Sequence, residues 1–319
     1  MKLTVAMRVI GGFAITSLLL FFLGIMSNSV LSTISESTKS VNNISVPAME
    51  TSAKLQQQFL LLSKTTLLDY YAKNYDEIDT TVTTFDQQAQ AFSSDLKQLK
   101  SVAANTPELA NKIPSVEQAY NEFSSSASQM FDSKKRTLEL ADKVATNLEE
   151  TEFAADDAAT YLLDFIDMND LAESSALAQT ASKLDGNMGS VISAITDIAE
   201  ETQRQNVETI IKELSFTENK IKESMATLTS QMGGRKYDGY DDVESQVAMV
   251  LDLLSSQDSV QQAKTDWLNQ IDETDRLLAQ TNDKISQGLS NLTNLVNSVK
   301  ARLEVTTDEV TESVEDGQS

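Results

Sequence analysis

The 319-residue sequence predicts an all-α fold: one transmembrane helix followed by long antiparallel helices forming two stacked four-helix bundles. Three observations predict it. Gly and Pro are scarce, 10 and 3, and all three prolines (Pro47, Pro107, Pro114) fall in the first 114 residues, so the backbone has few places to turn. Aliphatic residues recur at a 3.5-residue period over two very long stretches, as in helices packed in bundles or coiled coils. One uncharged apolar run, 9–26, approaches the length a helix needs to cross a bilayer.

That run reads VIGGFAITSLLLFFLGIM, with Lys2 and Arg8 before it and no acidic residue until Glu36. The positive-inside bias puts residues 1–8 in the cytoplasm and the chain after Met26 outside it. A cleaved signal peptide has the same charge pattern, but its apolar core is shorter and it exits through small residues, which GIMSNSVLS lacks. The expected topology is therefore single-pass, with most of the chain outside the cytoplasm.

Break signals divide the rest into helices over roughly 7–73, 75–104, 107–167, 170–201, 205–232 and 240–314. Asn74 precedes the acidic first-turn residues Asp76 and Glu77, and Thr106-Pro107 reads as an N-cap with Pro at the first helical position. Asp167–Asp170 forms a turn. Gly233-Gly234 and Asp238-Gly239 bracket a loop. The break near Gln203–Asn206 has a rival at Gly186 and Gly189. One apolar seam runs from Val116 to Ile166, and another from Val243 to Val310 in alternating steps of four and three. At a rise of 1.5 Å per residue the second, fourth and fifth helices are ~40–48 Å long and the third ~90 Å. The third helix thus matches two short ones end to end. This places a membrane-proximal bundle at 27–136 plus 268–314 and a distal bundle at 137–267, with 315–319 as a tail.

Composition excludes much chemistry. Cys and His are both absent, which removes thiolate catalysis, disulfides, Cys/His zinc sites and Ser-His-Asp chemistry. No nucleophile–base constellation stands out, so the chain is not read as an enzyme, and no cofactor is expected. A formal charge of −23 argues against nucleic acid as a partner. Asp156-Asp157 and Asp241-Asp242 are carboxylate pairs better explained by an exposed face and a helix N-terminus.

The opening MKLTVAMRVIGGFAITSLLLFFLGIMS, with Arg8 and Gly12-Phe13, resembles the start of a bacterial methyl-accepting chemotaxis protein. VNNISVPAMETSAKL, with Asn43 and Pro47, is similar to the first periplasmic helix of such receptors, and the doubled six-helix layout resembles the helical bimodular sensor type. The resemblance covers residues 1 to about 314 and rests more on architecture than on any motif. It implies a homodimeric, ligand-sensing region, single-pass in the bacterial inner membrane with most of the chain in the periplasm, that passes a helix shift across the membrane. A second span, a HAMP linker and methylation helices are missing from the sequence, so the chain reads as an N-terminal sensor fragment or a truncated product. The sensor of a histidine kinase, and a membrane-anchored helical tether without ligand, are the rival readings.

Polar residues inside an apolar seam are costly unless paired, so they mark candidate ligand positions. The last helix carries Gln257, Gln261 and Lys264, then Asp275 and Asn282; the third carries Lys134 and Glu152. Rise arithmetic brings Tyr70, Tyr71, Lys134, Arg136, Lys264 and Trp267 to one level, with Asp275 and Asn282 lining the lower bundle. One reading is a polar pocket, cations meeting a ligand carboxylate and aromatics walling it. The other is a capping layer where two cores meet, with lysines snorkelling outward. An organic acid and an amine remain equally open as the small-molecule ligand, the latter held by Asp69, Asp266 or Asp275.

Overall fold

The structure, a computed structural model, describes residues 5–104, 106–173 and 175–318; the side chains of 5–19, 23, 26, 313 and 316–318 lie outside the description. Every regular element among the described residues is helical. They are α1 (Val5–Ser40), a π-helical turn (Val41–Ser45), α2 (Val46–Tyr70), α3 (Tyr75–Ala103), α4 (Pro107–Ala110), α5 (Ile113–Met168), α6 (Ala176–Glu200), α7 (Arg204–Met232), α8 (Tyr240–Ser255) and α9 (Val260–Gln318).

The π-turn has a local cause. Pro47 has no N–H to give the preceding turn, and its ring crowds the carbonyl four residues back. The Val46 N–H bonds the carbonyl of Val41, five residues away, and the helix absorbs the proline as a bulge rather than ending. α3 begins at a reciprocal cap. The Glu77 N–H donates to Asn74 Oδ1 at 2.9 Å, while Asn74 Nδ2 and the Lys73 N–H donate back to the Glu77 carboxylate at 3.2 and 2.7 Å. α7 ends on Gly233 in the left-handed region (φ 58°), a conformation that costs other residues a Cβ clash.

Three boundaries depart from the sequence reading. The helix expected over 107–167 is interrupted at Asn111-Lys112, because Pro114 cannot continue the hydrogen-bond ladder from α4 into α5. From Ile113 to Met168 it is continuous. α6 starts at 176 rather than 170, where Ser175 accepts the Ala178 N–H at 3.1 Å; Asp170, at φ 47°, turns the chain before it. The helix expected over 240–314 breaks at Ser256–Ser259. There Ser256 Oγ accepts the Asp258 N–H and Ser259 Oγ accepts the Gln262 N–H, local bonds that compete with the helix ladder. Gly186 and Gly189 lie inside α6, and the α6–α7 break falls at 201–203.

The chain divides into two compact units. The first joins the residues up to Tyr71 with Asp79–Ser128 and the chain from Ala279 onward; the second joins Ala72–Ile78 with Gln129–Leu278. In the first, the core is aromatic. Phe59 sits 4.9 Å from Phe123 and 6.0 Å from Phe92 between ring centroids, and Phe92 stacks on Tyr120 at 4.4 Å. Leu55, Leu62, Leu99, Leu292, Leu295 and Val299 of the same unit are buried as well. In the second, the core is aliphatic: Leu184, Met188, Val191, Ile195 and Ile198 of α6 pack with Leu214, Ile221 and Leu228 of α7, Leu162 of α5 and Val243, Val247 and Val250 of α8. Each such fully buried side chain contributes roughly 1.5–3 kcal/mol.

The expectation of a single-pass inner-membrane protein held by 9–26 is overturned: among the described residues no helix is long and apolar enough to cross a membrane. α1 carries the apolar stretch without interruption into polar turns ending at Ser40, as part of one 36-residue helix, and the side chains of 9–19, 23 and 26 lie outside the description.

Candidate ligand-binding site

The expected site residues divide between the two units. In the first unit, Tyr70 and Tyr71 meet edge to face at 4.9 Å, with Tyr71 71% exposed. Asn282 is exposed on α9, where its carbonyl accepts the Ser286 hydroxyl. In the second unit, Lys134 is half-buried, Arg136 is exposed and pairs with Glu139 at 3.1 Å, and Asp275 is exposed.

Asp275 and Asn282 point to a shift of phase. The inward positions here are one residue earlier, at Thr274, Thr281 and Gly288, all buried. Thr281 bonds Ser126 at 2.8 Å in the first unit. In the second, Thr274 bonds Ser133 at 2.8 Å and Thr137 at 3.1 Å, and Gln270 Nε2 donates to Ser133 Oγ at 2.7 Å. Small and hydroxyl-bearing residues face inward along this stretch of α9, which a search for aliphatic residues passes over.

Lys264 and Trp267 do come together, in the second unit. Lys264 is 3% exposed; its ammonium lies 4.2 Å from the Trp267 ring centroid and donates at 2.7 Å to the Ala199 carbonyl. That carbonyl belongs to the last turn of α6, where the helix dipole favours a cation. Burial pushes the Lys264 ammonium below the ordinary lysine pKa of 10.5, partly countered by the Glu201 carboxylate. Glu201 accepts the N–H groups of Gln203 and Thr202 and the Asn206 amide, bonds that hold its own pKa below the ordinary range; the Gln203 bond is the largest cause. Arg204 then ties the start of α7 to Asn269 and Asp272 of α9 at 3.0 and 2.7 Å. This cluster docks the α6–α7 turn onto α9, and its cation is engaged by backbone. Gln261 is likewise a helix-end device, its amide donating to the Leu254 carbonyl at the end of α8.

A cavity that sequence reasoning missed lies in the first unit. It measures about 880 Å³ and is lined by Glu36 and Ser37 of α1, Glu108 of α4, Lys112, and Arg302, Thr306 and Glu309 of α9, among others. Arg302 pairs with Glu108 only at 3.7 Å, beyond hydrogen-bond length, and its side chain is 27% exposed. Its Nε is buried without a hydrogen-bond partner among the described residues. Thr306, one turn on, is occupied by the Arg302 carbonyl at 2.9 Å. No spacing in the sequence singles out Arg302, because its surroundings come from three separate segments. Among the described residues no group of three or more acidic side chains is placed to hold a metal ion.

Long helices and two cores define a class, the all-helical domains built of two units. No family model matches the chain, and no curated protein does. Solved structures do, two of them as follows. The TorS sensor domain of the V. parahaemolyticus histidine kinase sensor aligns at 14% identity with a TM-score of 0.62, covering 78% of this chain and 99% of that one. The TorS sensor domain–TorT complex, determined in the presence of TMAO, aligns at 13% identity with a TM-score of 0.58, covering 79% and 99%. At this identity the likeness is one of fold.

Proposed function

We propose that the chain is the ligand-sensing domain of a bacterial signal-transduction protein, of the histidine-kinase type rather than a chemotaxis receptor. The observation that carries this reading is the match to nearly the whole length of two histidine-kinase sensor domains. Each unit is read as a four-helix bundle. A small polar metabolite bound between helices favours one packing register over another, and the long α5 and α9 carry that shift to an output module. The coupling is limited by the ligand's differential affinity for the two registers. The working form is a homodimer, supported by the exposed apolar side chains Leu60, Leu61, Leu68 and Tyr71 on and just after α2.

The test is a thermal-shift panel of organic acids, amino acids, amines and TMAO on the full chain, followed by a hybrid in which the chain drives a kinase core. At least one compound should raise the Tm and change autophosphorylation of the hybrid. A panel without any shift, together with a silent hybrid, would leave the helical tether as the better reading.

A further inference from the structure

We infer that the cavity between α1, α4 and α9 in the first unit is a binding site for a small zwitterion of the amino-acid class, with the ligand carboxylate on Arg302 and its ammonium on Glu36 and Glu309. This deepens the sensor reading and rests on it.

The argument starts from charge. Three carboxylates (Glu36, Glu108, Glu309) and two cations (Lys112, Arg302) line one cavity of about 880 Å³, within the size range of small-molecule sites. A simple anion would enter a space that already carries an excess of negative charge. A simple cation would leave the guanidinium unanswered. A molecule carrying both signs answers each.

The guanidinium supplies the orientation. It has five N–H donors in a planar fork that matches a carboxylate through two parallel bonds. Glu108 sits 3.7 Å from one terminal nitrogen, an ion pair without a hydrogen bond, and Nε is buried with no partner among the described residues. Nε itself is shielded from solvent, so an incoming carboxylate meets the two terminal nitrogens, which can supply both bonds of the fork. Lys112 makes no ion pair with a described residue and adds a second positive charge at the rim. The carboxylates of Glu36 on α1 and Glu309 on α9 remain for an ammonium group. The site joins separate helices, so filling it also favours one relative placement of them.

The experiment is isothermal titration of the full chain with three sets of probes: glycine, L-serine, L-glutamate and glycine betaine; acetate and succinate; methylamine and putrescine. The expected result is that at least one zwitterion binds with Kd below about 1 mM while its acid-only and amine-only counterparts bind more weakly. Arg302→Ala should lower that affinity about tenfold or more, and Arg302→Lys should fail to restore it, because a point charge lacks the fork. Glu36→Gln with Glu309→Gln should weaken the zwitterion and strengthen succinate. Lys183→Ala, exposed on α6, is the control. Should Arg302→Ala unfold, the exposed Lys112→Ala carries the same test with a smaller loss. Binding of acids in preference to zwitterions, no zwitterion binding, or binding indifferent to Arg302 and Lys112 overturns the assignment. A hybrid kinase that still answers a compound in those cases leaves the sensor reading standing; a hybrid that answers none defeats that reading separately.

Discussion

The two units solve the same packing problem with different materials. The second fills its interior with Leu, Ile, Val and Met from five helices, and its buried polar atoms are mostly engaged in joining elements, as Lys264 is with the end of α6. The first is built on a cluster of rings around Phe59, Phe92 and Phe123, and hydroxyls and charges are buried beside it. Ser45, Ser52, Thr106 and Arg302 there each hold a buried polar atom with no hydrogen-bond partner among the described residues; in the second unit Asn187 and Gln261 do. Such atoms cost about 1–3 kcal/mol each. Buried polar atoms without a hydrogen-bond partner among the described residues are thus more numerous in the first unit than in the second, which points to the first as the one shaped by something besides stability.

The comparison can be broken most forcefully at the cores. Phe123→Ala in the first unit should cost about 3–5 kcal/mol, and Leu184→Ala in the second about 2–5 kcal/mol, by urea unfolding. A small loss at either position would mean that its core is looser than its burial implies.

The glycines sharpen the contrast. A Cβ on Gly288 would overlap the end of the Phe59 ring, and that ring is held by its aromatic neighbours. Gly288→Ala should cost about 1–3 kcal/mol by overpacking. Gly186 and Gly189 stand mid-helix in α6 with nothing within 4 Å of a new Cβ. Each changed to Ala should stabilise by about 0.5–1 kcal/mol. The same substitution thus has opposite signs in the two units, readable as Tm shifts.

Hydroxyls give a finer test. Ser126→Ala removes the partner of buried Thr281 and should destabilise by about 1 kcal/mol. Ser52→Ala removes a buried hydroxyl with no partner and should be neutral or stabilising by up to about 1 kcal/mol. The smallest effect is in Lys264→Met. Folding lowers the lysine pKa, so above that lowered value and up to about 10.5 the unfolded chain binds more protons than the folded one. Wild-type stability should therefore rise with pH in that alkaline window relative to Lys264→Met, and the difference between the two should be flat below it. Paired melts across pH 7–11 check this.

Much of the architecture was legible in residues that act locally. Asn74 with Glu77, Gly233 at a helix end, and the long apolar periodicity of 116–166 each act within a few turns of chain, and each appears in the structure near the expected place. The interruptions were harder. Pro114 follows Pro107 so closely that one helix start hides the next, and the Ser256–Ser259 break keeps the heptad count nearly in step while Thr274, Thr281 and Gly288 turn inward. Those three carry no apolar signature; their placement is set by Ser133, Ser126 and Phe59 from other helices. The expected cluster was legible only as Lys264 with Trp267, and there the cation answers a helix end. Arg302 had no local signal, since α1 and α4 supply the rest of its cavity.

The most direct test of the account is hydrogen exchange by mass spectrometry on the full chain, with and without the compound that raises the Tm most. The account predicts slowed exchange around 36–40, 106–112 and 298–309 in the first unit, with the α6–α7 segments of the second unchanged. Protection confined to α6 and α7, with the first unit unaffected, would contradict it.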